Sequence, residues 1–291
     1  MRPFVLIAAA LAMFGSWVAL SSDAKLTIAN LPQLWFSGMI ERDIPFGNHG
    51  LLLDIYRPSE GTAPGSMVVF FHGGSWQHGS KDQYAFFGMT LAERGHIVVI
   101  PDYRKYPDVR FPAFMTDASE ALVWAWNNNA AAGAGPEGIF VVGHSAGGHM
   151  AALLAADARY LADGPAVTLA GAVGLAGPYH FFPDEPEMKE IFGPPDRYPQ
   201  MQVTTFVDGD EPPMLLLWGE DDDTVGRENL DRLLSALVAT DACHRMRTYP
   251  GVDHVSIIGA FTWLFRNENP VVEDVAGFIA NARSGQGCPF G

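Results

Sequence analysis

Ser145, a run of three aspartates and His254 are the residues whose types and neighbours could do chemistry in this chain. Ser145 lies in Gly143-His144-Ser145-Ala146-Gly147-Gly148, directly behind the apolar run Ile139–Val142. An apolar strand that runs into G-x-S-x-G reads as a nucleophile elbow, in which the chain leaves a strand, turns sharply at the serine and enters a helix at once. Side chains at the flanking positions would collide with the strand and helix, and glycine removes that clash. The turn holds the hydroxyl proud of the sheet edge, and the helix N-terminus beneath it favours negative charge.

A serine hydroxyl is a weak nucleophile until a base takes its proton, so the elbow predicts partners. Two later loops supply them. The apolar strand Met214–Trp218 is followed by Gly219-Glu220-Asp221-Asp222-Asp223-Thr224-Val225, and the strand Arg245–Tyr249 ends in Pro250-Gly251-Val252-Asp253-His254. Loops after strands are where a parallel sheet places its catalytic groups. His254 would accept the Ser145 proton and pass it to the leaving group, and an aspartate would hold the imidazole tautomer. Three consecutive aspartates leave the choice of acid open at this point. A fourth element is His72-Gly73-Gly74-Ser75-Trp76, straight after the apolar strand Met67–Phe71. The amides of Gly73, Gly74 and Ala146 are candidate donors to a tetrahedral oxyanion. His72 is expected to anchor this loop by hydrogen bonding.

Together these residues resemble an α/β-hydrolase of the esterase/lipase group, from about residue 40 onward. The likeness is strongest to the branch with HGG-x-W oxyanion loops, which includes carboxylesterases, kynurenine formamidases and isoprenylcysteine methylesterases. It is carried by Leu53-Asp54-Ile55-Tyr56-Arg57-Pro58, His72–Trp76, Asp102-Tyr103-Arg104, Phe111-Pro112-Ala113, the elbow and Asp222-x-x-Val225. The third glycine of the HGGG pattern is replaced by Ser75. The resemblance implies the chain order Ser, Asp, His, and its spacing after Gly219 selects Asp222 as the acid, with Asp223 next. It implies a mostly parallel central sheet flanked by helices, and hydrolysis of an ester through an acyl-enzyme without a cofactor. An arylformamidase would use the same triad on an N-formyl aromatic amine. An oligopeptidase shares G-x-S-x-G-G but usually adds a large N-terminal propeller, for which this chain has no room. A catalytically inactive hydrolase fold serving as a binding module would be expected to lack the serine or histidine.

The elements that must position these groups alternate along the chain. Ile40–Ile44 and Leu51–Tyr56 read as opening strands around a Gly47-Asn48-His49-Gly50 turn, and Ile97–Pro101 and Leu169–Leu175 as further strands. Helices are expected around Gln83–Arg94, over Phe114–Asn127, from the elbow to about Ala156, and over Val225–Thr240. Alternating strands and helices imply right-handed crossovers. The segment from Gly177 to Pro213 breaks this rhythm and reads as a cap inserted over the site. Tyr179, Phe181, Phe182, Phe192 and Tyr198 within it, with Trp76 and Tyr84 near the HGG loop, are candidate walls of a substrate pocket. Phe261, Trp263, Leu264 and Phe265 are expected to pack as core or rim.

At 291 residues and 48% hydrophobic composition the chain can bury one large core, taken as residues 25–291. A net charge of −15 argues against a basic surface for nucleic acid or anionic membranes. No Cys/His cluster or HExxH spacing suggests a metal. Met1-Arg2 followed by the apolar Pro3–Leu20 and then Ser22-Asp23-Ala24 has the layout of a cleaved export signal, residues 1–24. An uncleaved anchor is the alternative reading, because the run approaches the length of a membrane span. In an exported protein the two cysteines, Cys243 and Cys288, could pair and tie the tail to the domain.

Overall fold

The computed structural model describes residues 22–62, 65–132, 138–162, 166–283 and Cys288. The apolar Pro3–Leu20 segment lies outside the described residues; the described chain begins in a short helix, α1 (Ser22–Ala29). Eight strands follow among the described residues: β1 (Met39–Phe46), β2 (Leu51–Arg57), β3 (Met67–Phe71), β4 (Ile97–Pro101), β5 (Ile139–His144), β6 (Leu169–Leu175), β7 (Met214–Gly219) and β8 (His244–Tyr249). They form one sheet in the order β1-β2-β4-β3-β5-β6-β7-β8. Only the β1–β2 and β2–β4 pairings are antiparallel; from β4 to β8 the sheet is parallel.

Helices α2 (Ala85–Ala92), α3 (Ala113–Ala132), α4 (Ala146–Ala156), α6 (Glu228–Ala239) and α8 (Val271–Arg283) flank this sheet, and α5 (Pro186–Phe192) and α7 (Ser256–Gly259) lie in its connections. Strands β3, β4, β5 and β7 are buried along their whole length, as expected where both faces of a parallel sheet are covered. The period of two then divides one strand between two cores. Val69 and Phe71 join a cluster with residues of α3, α4 and α6, whereas Val68 and Phe70 join one with residues of α2 and α8.

Two helices differ from the sequence expectation. The one expected over Gln83–Arg94 begins as a tight 3-10 turn, Lys81–Tyr84, because the Lys81 ammonium is drawn inward to Asp43, Asp54 and Asp82 at 2.7–3.1 Å. The helix expected to end at Asn127 runs on through the asparagines, with Asn128 Nδ2 donating to the Trp124 carbonyl at 2.8 Å. The segment 177–213 carries α5 and two short 3-10 turns, and its Ile191, Phe192, Tyr198, Met201 and Val203 belong to the same buried cluster as Val69 and Val141. Cys243 and Cys288 form a disulfide, with Cα atoms 5.5 Å apart, which ties the tail to the start of β8.

Candidate active site

Strand β5 ends at His144 and α4 begins at Ala146, so Ser145 alone makes the turn, at φ 56° and ψ −122°. A non-glycine residue held there stores roughly 1–3 kcal/mol of strain. The turn is held from both sides, by the Ser145 N–H on the Leu175 carbonyl at 2.9 Å and by the His149 N–H on the Ser145 carbonyl at 3.0 Å. A Cβ at Gly143 would lie 2.0 Å from the Gly147 carbonyl oxygen, and one at Gly147 would lie 2.0 Å from that of Phe71. Neither contact is physically allowed, so the two glycines of the elbow are sterically required.

His254 follows β8 and faces the serine, with Nε2 2.9 Å from Ser145 Oγ. Its Nδ1 is 2.8 Å from Asp222 Oδ2. That geometry places the proton on Nδ1, donated to the carboxylate, and leaves the Nε2 lone pair to accept from the serine hydroxyl. The Asp222 side chain is fully buried, and its Oδ1 accepts from the N–H groups of Thr224 and Val225, each at 3.0 Å. Those two amides aim the other oxygen at the imidazole. Asp221 and Asp223 are exposed, and Asp223 has only a 3.5 Å contact with the Thr224 hydroxyl. Of the three aspartates, only Asp222 meets His254.

The HGG loop lies against the elbow: a Cβ on Gly73 would sit 3.2 Å from Ser145 Cβ and 3.0 Å from His144 Nδ1. His72 is buried, and its Nδ1 donates to the Gly73 carbonyl at 2.8 Å, while its own carbonyl accepts from the Tyr103 hydroxyl at 3.0 Å. Burial lowers the His72 pKa, so the ring works as a neutral brace between Tyr103 and Tyr84, which stack on it at 4.5 and 5.6 Å. Burial also raises the Tyr84 phenol to about 12, so its hydroxyl stays neutral behind the loop. The N–H groups of Gly74 and Ala146 have no hydrogen-bond acceptor among the described residues. They are therefore free to bond an incoming oxyanion.

Sequence reasoning missed His144. Inside the elbow, this buried side chain donates from Nε2 to the His254 carbonyl at 2.8 Å, and burial with the neighbouring His254 charge lowers its pKa to about 3. It is a neutral tether between the end of β5, beside Ser145, and the loop that carries His254. A histidine at the variable position of the elbow was the available signal.

The expected pocket walls separate into three kinds. Trp76 is buried and stacks on Phe181 at 5.7 Å, with Phe192 edge-on at 4.8 Å. Tyr179 is wholly buried, with its ring in the space that side chains at Gly174 or Gly177 would need, so it is core and lines no open pocket. Phe182 is 64% exposed, edge-on to His180, and faces solvent. Tyr84 acts behind the HGG loop, as described. Tyr198 and Phe261 are buried, and Trp263 is exposed.

Residues 115–282, more than half of the chain, match the model of the prolyl oligopeptidase family, and residues 53–167 match the model described as BD-FAE. The chain is an α/β-hydrolase of the esterase/lipase group. This α/β-hydrolase is 36% identical to a probable isoprenylcysteine alpha-carbonyl methylesterase of Oryza sativa subsp. japonica, over 50% of this chain and 36% of that protein. It is 32% identical to Esterase LipQ of Mycobacterium tuberculosis, over 63% of this chain and 49% of that protein. The chain thus spans half or less of these curated relatives. Among solved structures, Esterase B from Lactobacillus Rhamnosis shares the fold with a TM-score of 0.77, at 18% identity, over 97% of this chain and 96% of that one.

Proposed function

We propose that this α/β-hydrolase cleaves a carboxylic ester of a small molecule by serine catalysis. The observation that carries the reading is the hydrogen-bonded series from Asp222 through His254 to Ser145, at 2.8 and 2.9 Å. Ser145 Oγ attacks the ester carbonyl carbon as His254 Nε2 takes the hydroxyl proton, and Asp222 stabilises the imidazolium. The carbonyl π electrons move onto oxygen, where the amides of Gly73, Gly74 and Ala146 take up the charge. The intermediate collapses, the C–O bond to the alcohol breaks, and His254 returns the proton to the departing oxygen. Water then attacks the acyl-enzyme with His254 again as base, releasing acid and regenerating Ser145. The esterase names of the relatives support an ester as substrate.

Export is part of the same proposal. It is supported by the apolar N-terminal segment and by the Cys243–Cys288 disulfide, since such bonds persist in oxidising compartments.

The test is labelling by a fluorophosphonate, wild type against Ser145→Ala, followed by a panel of p-nitrophenyl esters and an N-formyl aromatic amine. Labelling lost in the variant, with ester turnover, supports the reading. A folded wild type that neither labels nor turns over any ester overturns it, and turnover of the formamide alone would move the protein to the arylformamidases.

A further inference from the structure

The most conspicuous surface feature outside the site is apolar. Leu31 and Leu34 lie three apart in a 3-10 turn, Leu31–Leu34, so their side chains eclipse on one side while Pro32 of the same turn is buried on the other. Leu34 is 79% exposed and Trp35 62% exposed. Trp35 meets the exposed Trp263 edge-to-face at 6.5 Å, and Trp263 Nε1 donates to the Ile28 carbonyl at 3.0 Å. Two tryptophans and two leucines from opposite ends of the chain therefore form one continuous patch.

The patch is rigidly joined to the catalytic end of the sheet. Asn30 Oδ1 accepts from the Phe86 N–H at 2.9 Å and its Nδ2 donates to the Gln83 carbonyl at 3.0 Å, either side of Tyr84. Trp263 follows the loop that carries His254, and Val255 on that loop is 70% exposed. In sequence, the apolar Pro3–Leu20 ends eleven residues before Leu31.

We propose that the patch of Leu31, Leu34, Trp35 and Trp263 rests on the surface of a phospholipid bilayer, held there by Pro3–Leu20 retained as an anchor. Tryptophan beside leucine is the chemistry of the membrane interface, where the ring is buried among acyl chains and the N–H stays hydrogen-bonded. The chain leading out of the patch is apolar over eighteen residues, enough to enter a bilayer a short distance away. The net charge of −15 disfavours an anionic surface, so the favoured surface is a zwitterionic one. Docked this way, the mouth of the site would lie close to the lipid, and lipophilic esters could be drawn from that phase. The docking itself does not depend on the esterase reading.

The full chain carrying Trp17→Phe, which silences the tryptophan of the apolar segment, is reconstituted with phosphatidylcholine vesicles containing shallow doxyl-labelled lipid. Two of the six remaining tryptophans lie in the patch, so quenching of about one third of the emission is expected. Adding Trp35→Phe and Trp263→Phe should abolish that quenching while vesicle association persists. A vesicle-bound chain whose emission is unquenched overturns the proposal. So does a dimer in vesicle-free sedimentation that dissociates on Leu34→Ser, which would make a second copy the occupant. Neither readout uses ester turnover, so failure here is distinct from failure of the hydrolase reading.

Discussion

His144 donates a 2.8 Å hydrogen bond to the carbonyl of His254, so the residue beside Ser145 in the strand-to-helix turn also holds the loop that presents His254. The tether couples two strand ends that meet only in the folded sheet. His144→Ala should lower kcat by about fivefold, the effect of losing one hydrogen bond of about 1 kcal/mol, with KM nearly unchanged. Steady-state kinetics on a short p-nitrophenyl ester separates the two constants. Wild-type kcat in the variant would reduce His144 to a packing residue.

Replacing Asp222 with Asn should lower kcat on the order of 10⁴-fold, because the amide can stabilise the wrong imidazole tautomer. Asp223→Asn, on an exposed side chain, should stay within twofold. Equal losses in both variants would mean that the acid is shared between them.

The buried histidines give a pH signature. His144 is lowered to about 3, and His96 and His149 to about 4, each mainly by burial. The unfolded chain protonates these rings near pH 6.5, whereas the folded chain resists until pH 3–4. Between those limits the unfolded state binds more protons, so stability is full above pH 6.5 and declines as pH falls toward about 4. Each ring contributes a slope of up to about 1.4 kcal/mol per pH unit. His96→Gln, far from Ser145, should flatten the slope by up to that amount in urea unfolding at pH 7, 6 and 5. An unchanged slope would contradict this account.

Phe181 stacks on Trp76 beside the HGG loop, while Phe182 faces solvent. Phe181→Ala should therefore shift the ratio of kcat/KM for octanoyl over butyryl esters severalfold, since one methylene in an apolar pocket carries about 1–3 kcal/mol. Phe182→Ala should leave the ratio unchanged. A shift from Phe182 alone would place the acyl site on the outer face of the 177–213 segment.

The disulfide joins residues 45 apart and encloses α8. Cys288→Ser should cost about 2–4 kcal/mol in unfolding free energy, with turnover at 25 °C retained. Guanidinium melts of both proteins, run without reductant, measure it.

Much of this molecule was legible from local pattern. Continuous apolar runs marked β3 to β7 because strands covered on both faces must be apolar throughout, and the glycines at 143 and 147 marked the elbow because the backbone there leaves no room for a Cβ. Ser145, the HGG loop and His254 were readable for the same reason: each is a residue type placed next to the element that presents it. Residue type alone did not determine which aspartate meets His254, since Asp221, Asp222 and Asp223 are chemically alike; only the spacing after Gly219 shared with the hydrolase group pointed to Asp222. The tertiary structure selects Asp222, because the amides of Thr224 and Val225 turn its carboxylate inward. The fold likewise decided that Tyr179 is core and Phe182 is surface, that Cys288 reaches Cys243, and that Trp35 meets Trp263. These pairings depend on the packing of elements far apart in the chain, and no periodicity of two or 3.6 residues encodes them.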